Sequence, residues 1–217
     1  MTWWGAAFDA GTAIVLVVLW YFWYRRSNWH KGRRVLQWLR SSPLYLQITG
    51  VRWHSCSRMD VQVDLTSQYF HRAVFHVELL PRELPFNWLL SRFKNEKDTV
   101  SFEADLDYPP LFNLEVLNHR WANRSAPHML EHPKGVSLVR AGALLFTTRT
   151  DWQRDLARMM HGLLASRDCN FQKVCFRRSS PHLTAVLPLE FLDGGQGAED
   201  MFDVLEELAT EASAATF

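Results

Sequence analysis

The sequence predicts an α+β protein: a single N-terminal transmembrane helix, then a cytoplasmic domain of antiparallel β-sheet with helices on one face. Three features of the sequence lead to this prediction. A long apolar run near the N-terminus ends in a cluster of basic residues. Several later segments alternate between apolar and polar residues, which is typical of antiparallel strands with one face in water. A Gly-rich stretch then leads into an acidic, amphipathic C-terminal helix.

The composition is that of a folded domain with room for one additional segment. The 217 residues are 47% hydrophobic and 22% charged, which excludes an intrinsically disordered chain. The net charge is only +1, but all 24 Lys and Arg precede position 190, whereas eight of the 23 Asp and Glu follow position 189. The body of the chain is therefore basic and its C-terminal tail is acidic.

The apolar run is long enough to cross a membrane if it is counted from Trp3. From there to Tyr24 a helix would span about 33 Å, against about 30 Å of hydrocarbon, whereas the part from Gly11 alone would span about 21 Å. A secretory signal carries its basic residues before the apolar run, but here they follow it. A buried soluble helix does not normally place five successive aromatic residues beside two arginines. The sequence therefore predicts a transmembrane helix over residues 1–24.

Aromatic and basic residues flank the predicted span, where membrane–water interfaces favour them. The basic cluster follows the span, so the positive-inside rule places the N-terminus outside and the rest in the cytoplasm, as in a single-pass protein of the cell inner membrane. A basic amphipathic connector over residues 25–43 is expected to lie near anionic lipid headgroups. The predicted membrane-interface residues are Trp3, Trp4, Trp20, Trp23, Arg25, Arg26, Trp29, Lys31, Arg33 and Arg34.

Small residues in the outer half of the span permit close contact with another membrane helix. Asp9 is the only charged residue within it, and its carboxylate either reaches the headgroups or pairs with a polar group on a neighbouring helix. Gly5, Asp9 and Gly11 are therefore candidate helix-partner contacts. No histidine lies inside the span, so this helix offers no imidazole ligand to a haem or a chlorophyll.

The body, residues 44–192, is predicted to be α+β because period-two alternation recurs along it. The clearest alternations cover residues 61–65, 75–79 and 100–106, and a helical stretch beginning at Pro85 interrupts them. Thr150 then has the N-cap pattern of a second helix in this body. Residues 72–117 and 142–189 both follow the order strand, helix, strand, strand. This similarity suggests a duplicated βαββ unit, although few residues are identical between the two segments.

The C-terminal segment, residues 193–217, is predicted to be a Gly-rich hinge followed by an acidic helix. An apolar stripe on such a helix normally packs on its own domain, but a flexible link also permits packing on a partner. The candidate partner-docking residues in this stripe are Met201, Phe202, Leu205 and Leu208.

One motif resembles a metal site in its spacing. His128 and His132, in the sequence HMLEH, fit the H-x-x-E-H zinc-protease pattern, which needs both histidines on one helix. Pro127 and Pro133 flank the motif, and the residue before a proline is disfavoured in a helix. The sequence therefore predicts no metal site there.

The cysteines also fail to indicate a catalytic site. His54 and Cys56 could form a Cys–His nucleophile pair on one strand face, but the serines around Cys56 indicate a hairpin turn. Cys169 and Cys175 lack C-x-x-C spacing, and an odd total of three fits a reducing compartment rather than a disulfide framework. No catalytic residue, cofactor or metal is predicted.

Two hypotheses of function follow. The first is a non-catalytic accessory or scaffolding subunit of a larger integral-membrane complex, for example a respiratory or photosynthetic assembly, whose partners are other membrane subunits and anionic lipid. The second is a membrane-anchored enzyme or small-ligand-binding module with a site between the two halves of the body. Nucleic acid is not an expected partner, because the basic residues are scattered and their densest cluster adjoins the predicted membrane span.

Overall fold

The computed structural model of the chain describes residues 3–41, 46–67, 69–82, 85–94, 96–110, 112–118, 136–141, 144–149, 171–194 and 198–214. Within these ranges the helices are α1 (Trp3–Arg40), α2 (Pro85–Phe93) and α3 (Ala198–Ala214). The strands are β1 (Leu46–Trp53), β2 (Arg58–Leu65), β3 (Phe70–Glu78), β4 (Thr99–Leu106), β5 (Leu114–Asn118), β6 (Val136–Ala141), β7 (Leu144–Arg149), β8 (Lys173–Phe176) and β9 (Leu183–Pro188), and a 3₁₀ helix covers Leu189–Gly194.

The predicted α+β class is confirmed: the nine described strands form a single antiparallel sheet, in the order β1-β2-β3-β4-β9-β8-β5-β7-β6. The transmembrane part of the prediction is not supported. Among the described residues, none of the helices combines the length and the apolarity needed to cross a membrane.

The predicted alternation matches the two faces of the sheet. Phe75 of β3 and Phe102 of β4 are fully buried, whereas their strand neighbours Glu78 and Glu103 lie on the opposite, polar face. Most of the buried hydrophobic side chains of the central strands belong to one apolar cluster. One face of the sheet therefore forms the core, and the other, called here the outer face, is polar.

The strand order differs from what a simple duplication would produce. β3 pairs directly with β4, but β7 and β8 are separated by β5, which hydrogen-bonds to both of them. β9 in turn pairs with β4, so the two halves of the chain interleave in one sheet. The second helix predicted after Thr150 lies outside the described residues, as do His128, His132 and Cys169.

Helix α3 packs on the core face of the sheet. The ring of Phe202 lies edge-on to those of Phe75 and Phe102, with centroids 6.1 and 6.0 Å away. Met201, Leu205 and Leu208 are also at most 1% exposed. The four candidate partner-docking side chains are therefore buried against the protein's own sheet, which is the packing that the sequence analysis describes as normal for such a helix.

Helix α1 runs without a break through the predicted membrane span and most of the predicted connector. α1 is one continuous helix of 38 residues. Val35 and Leu39, in the segment expected to lie on the membrane surface, are fully buried in the core. The C-terminal half of α1 is therefore a structural helix of the domain, and the N-terminal half extends from it.

Candidate functional site

The N-terminal half of α1 is apolar and exposed on every side. Six consecutive side chains, those of residues 14–19, are 46–65% exposed. Successive residues of an α-helix point about 100° apart, so six of them cover the whole circumference. No side chain of the described part of the domain covers this segment. We call residues 8–19 of α1 the apolar arm.

The candidate helix-partner contacts lie at the beginning of the apolar arm. Asp9 is exposed, and a Cβ added at Gly11 would meet nothing within 4 Å, so no other described part of the chain covers either position. The backbones of Trp3, Trp4 and Gly5 belong to α1, but the side chains of Trp3 and Trp4 lie outside the described part of the structure.

On the C-terminal side of the apolar arm, one side of α1 is attached to the domain by hydrogen bonds and close packing. The indole Nε1 of Trp20 donates a hydrogen bond to the carbonyl of Arg82 (2.9 Å), and the Asn28 amide donates to that of Leu80 (3.3 Å). At Gly32 the helix backbone approaches the indole of Trp53 so closely that an added Cβ would lie 2.3 Å from the ring. This contact requires glycine, because any larger residue would displace the ring or the helix.

Asp98, immediately before β4, joins α1 to the segment after β3. Its carboxylate accepts hydrogen bonds from Lys31 (2.5 Å), Arg82 (2.8 Å) and the backbone N–H of Leu80 (2.7 Å). Burial would raise the pKa of Asp98, but these hydrogen bonds outweigh it and hold the pKa below its usual value. Asp98 is therefore ionised at neutral pH and connects three separate parts of the fold.

Aromatic and basic side chains surround the base of the apolar arm. Trp23 is 74% exposed, and the guanidinium of Arg33 stacks on the Trp29 ring at 3.5 Å from its centroid. Arg25 and Arg26 are also exposed. Trp20 and Lys31, in contrast, are partly covered by the domain, since they form the contacts with Arg82 and Asp98.

Helix α2 lies beside α1 just after the C-terminal end of the apolar arm. Trp88 of α2 packs against Trp20 and Tyr24, with ring centroids 5.7 and 6.5 Å away. A cavity of about 640 Å³ between the two helices is lined by both basic and acidic side chains, among them Arg34, Arg82, Arg92, Glu96 and Asp98. The sequence predicts α2 as a helix but does not indicate that it packs against α1.

The outer face of the sheet carries a chain of paired ionisable groups. Asp60 accepts hydrogen bonds from His54 (2.6 Å) and His76 (2.8 Å), and the other ring nitrogen of His76 lies 3.4 Å from Glu103. Burial would raise the pKa of Asp60, but the hydrogen bonds from His76 and His54 outweigh it and lower the pKa. His54, in the turn between β1 and β2, thus contacts Asp60 of β2. This agrees with the hairpin that the sequence indicates around Cys56.

Cys175 also lies on the outer face, beside this chain of ionisable groups. It is 2% exposed, and burial raises the pKa of its thiol to about 11. The thiolate is the nucleophilic form of cysteine, so the raised pKa disfavours reaction of Cys175 at neutral pH. In the part of the chain that the structure describes, no three His, Cys, Asp or Glu side chains are arranged to hold a metal ion.

The sequence matches no protein-family model and has no significant similarity to any curated protein.

Proposed function

We propose that this protein is a non-catalytic accessory subunit of a larger integral-membrane complex, which inserts its apolar arm into the membrane and holds the sheet domain against the complex. The observation that supports this most strongly is the exposure of the arm around its whole circumference. A groove on a single soluble partner would cover one side of the helix and leave the others in water. Lipid, or lipid together with other membrane helices, can surround it.

The cost of leaving this arm in water supports the same proposal. Full burial of an aliphatic side chain such as Val, Leu or Ile is worth about 1.5–3 kcal/mol. The six residues 14–19 are all about half exposed or more. Burying what remains exposed would therefore contribute on the order of 5 kcal/mol. Soluble monomers rarely expose a contiguous apolar surface of more than a few hundred Å², and such a surface commonly marks a membrane or protein contact.

The basic residues at the base of the arm favour an anionic surface next to it. Arg25, Arg26 and Arg33 are exposed directly after the apolar segment. A Lys or Arg near an anionic leaflet contributes about 1 kcal/mol. By the positive-inside rule the domain lies on the cytoplasmic side, with the N-terminus directed towards the opposite side.

A scaffolding role, rather than catalysis, is supported by the chemistry of the outer face. The Cys175 thiol is protonated at neutral pH, and Asp60 and His76 are engaged with each other. The hydrogen bonds that Asp98 accepts from α1 and from the segment after β3 instead suit a protein that holds two contacts in a defined relation. An arm that binds membrane subunits and a domain that binds their cytoplasmic surface would each raise the effective concentration of the other.

The outer face supports the second candidate, a membrane-anchored ligand-binding module. A depression of about 710 Å³ on this face spans both halves of the chain, because its lining includes Asp60 and His76 from the first half and Lys173 and Cys175 from the second. Isolation of the protein from native membranes in mild detergent separates the two candidates. Co-migration with a large complex supports the subunit role, and a lone monomer that retains a small ligand supports the binding module.

The arm itself is tested by a charge substitution with a matched control. Val17→Arg places a charge in the apolar arm, whereas Val51→Arg places one at an exposed valine of β1. We expect Val17→Arg to shift the protein from the carbonate-resistant membrane fraction towards the soluble fraction, and Val51→Arg to leave it in the membrane. Equal retention of both variants, or a wild-type protein extracted completely by carbonate, would contradict membrane insertion.

A further inference from the structure

Helix α2 exposes most of its apolar side chains and buries a polar one, the reverse of the usual arrangement at a protein surface. Phe86 and Phe93 are 75% and 77% exposed, and Leu89 and Leu90 are 44% and 45% exposed. The buried residue of the same helix is Ser91. A helix on the surface of a soluble domain normally directs its apolar stripe inward and its polar residues to water. In α2 the stripe at positions 86, 89, 90 and 93, with i, i+3, i+4 and i+7 spacing, faces away from the protein.

We propose that α2 is a second membrane contact, lying in the plane of the bilayer surface with Phe86, Leu89, Leu90 and Phe93 inserted among the lipid chains. This inference rests on the proposed insertion of the apolar arm and adds a second contact that fixes the orientation of the domain on the membrane. Helices of this kind place one apolar face about 5–10 Å into the boundary between headgroups and acyl chains.

The position of α2 along α1 supports a lipid occupant. The opposite side of α2 carries Trp88, which packs against Trp20 and Tyr24 at the end of the exposed part of α1. If the apolar arm lies in the bilayer, this contact places α2 at the depth of the membrane–water interface. Aromatic residues such as Trp and Tyr are enriched at that depth.

The charges on and next to α2 also favour lipid. The helix contains no acidic residue, and its last turn carries Arg92, whose guanidinium lies 5.7 Å from the centre of the Trp88 ring. Lys94 follows directly, is exposed, and lies 4.0 Å from the carboxylate of Glu96. Basic side chains bordering an apolar stripe are the pattern of helices that bind anionic membrane surfaces.

Asp98 makes the membrane contacts of the apolar arm and of α2 interdependent. Lys31 of α1 and Arg82, which precedes α2, both bind the carboxylate of Asp98. The direction of the apolar arm and the position of α2 are therefore set by the same group. An inserted arm presents α2 to the bilayer surface without further rearrangement, so the second contact costs little additional ordering.

The test places an environment-sensitive fluorescent amino acid at one of three positions of the full-length protein, reconstituted into vesicles that contain anionic phospholipid. The positions are Leu89 in α2, Val17 in the apolar arm, and Gln62, an exposed residue of β2 on the outer face. Lipids brominated on their acyl chains quench only probes that enter the hydrocarbon, and iodide quenches only probes in water. We expect bromolipid quenching at Leu89 and Val17, and iodide quenching at Gln62.

The outcomes separate this inference from the proposed function. Quenching at Val17 but not at Leu89 would overturn the α2 contact and leave insertion of the arm intact. Quenching at Leu89 but not at Val17 would support α2 as a membrane contact and contradict insertion of the arm. Protection of Leu89 from both quenchers would show that another protein surface covers α2, which also overturns the inference.

A pair of substitutions gives the expected size of the effect. Removing the rings by Phe86→Ala with Phe93→Ala should lower the equilibrium constant for insertion of the Leu89 probe at least about tenfold per ring. Tyr108→Ala is the matched control, because Tyr108 is 62% exposed but follows the far end of β4, roughly 26 Å of strand away from α2. An equal effect of the control, or no effect of the double substitution, would contradict a specific α2 contact.

Discussion

Lys31 of helix α1 and Asp98 at the start of β4 form an ion pair of 2.5 Å between side chains 67 positions apart. The same carboxylate binds Arg82 and the backbone of Leu80 and is 9% exposed. The part of α1 that follows the apolar arm is consequently part of the folded domain.

Replacing Asp98 should destabilise the domain strongly. Asp98→Asn removes the negative charge and leaves Lys31 and Arg82 half-buried without their counter-ion. Breaking a buried ion pair in this way costs about 3–5 kcal/mol. We expect a decrease of about 3 kcal/mol in the free energy of unfolding, measured by urea titration in detergent. Asp64→Asn, at an exposed position of β2, is the control and should change stability by less than about 0.5 kcal/mol.

The contribution of Asp98 should also depend on pH. Its pKa in the folded protein lies below its value in the unfolded chain, so the unfolded state binds the proton more readily. The stabilisation is therefore complete above the unfolded pKa of about 4 and is lost as the pH falls through the lower, folded pKa. The stability difference between wild type and Asp98→Asn should stay constant from pH 7 to 5 and shrink below about pH 4. A constant difference down to pH 2 would show that Asp98 does not stabilise the fold through its charge.

Two glycines of α1 should respond oppositely to the same substitution. Gly32→Ala would place a Cβ 2.3 Å from the Trp53 ring, and overpacking of this kind costs about 1–3 kcal/mol. Gly11→Ala meets nothing within 4 Å and should be neutral or stabilising by up to about 1 kcal/mol, because alanine favours helix more than glycine does. Thermal unfolding of both variants in the same detergent tests this. Equal stability of the two would mean that α1 does not contact Trp53 in solution.

Cys175 should resist alkylation in the folded protein. With a thiol pKa of about 11, about one molecule in a thousand carries the thiolate at pH 8. Cys56, in the β1–β2 turn, is less buried than Cys175. Peptide-resolved mass spectrometry after brief iodoacetamide treatment should find Cys56 modified well before Cys175, and the difference should disappear in urea. Rapid modification of Cys175 in the native protein would restore it as a candidate nucleophile.

The sequence by itself determined the α+β class and several of the strands. Residues such as Phe75, Val77 and Phe102 were predicted to face the core from period-two alternation, and the structure buries all three. This succeeded because alternation is a local property: neighbouring strand residues point to opposite faces whatever the strand pairs with. The apolar character of residues 14–19 was equally evident, although the helix as described is not long and apolar enough to cross a membrane.

Only the tertiary structure decided which parts of the chain meet. The pairing of β4 with β9 and of β5 with β8 depends on contacts distant in sequence, which no local pattern records. The sequence also left open whether the apolar stripe at Met201 and Phe202 packs on the domain or on a partner. The structure packs it on the sheet. The reversed orientation of α2 was also invisible, because an apolar stripe predicts that one side of a helix avoids water and not which surface covers it.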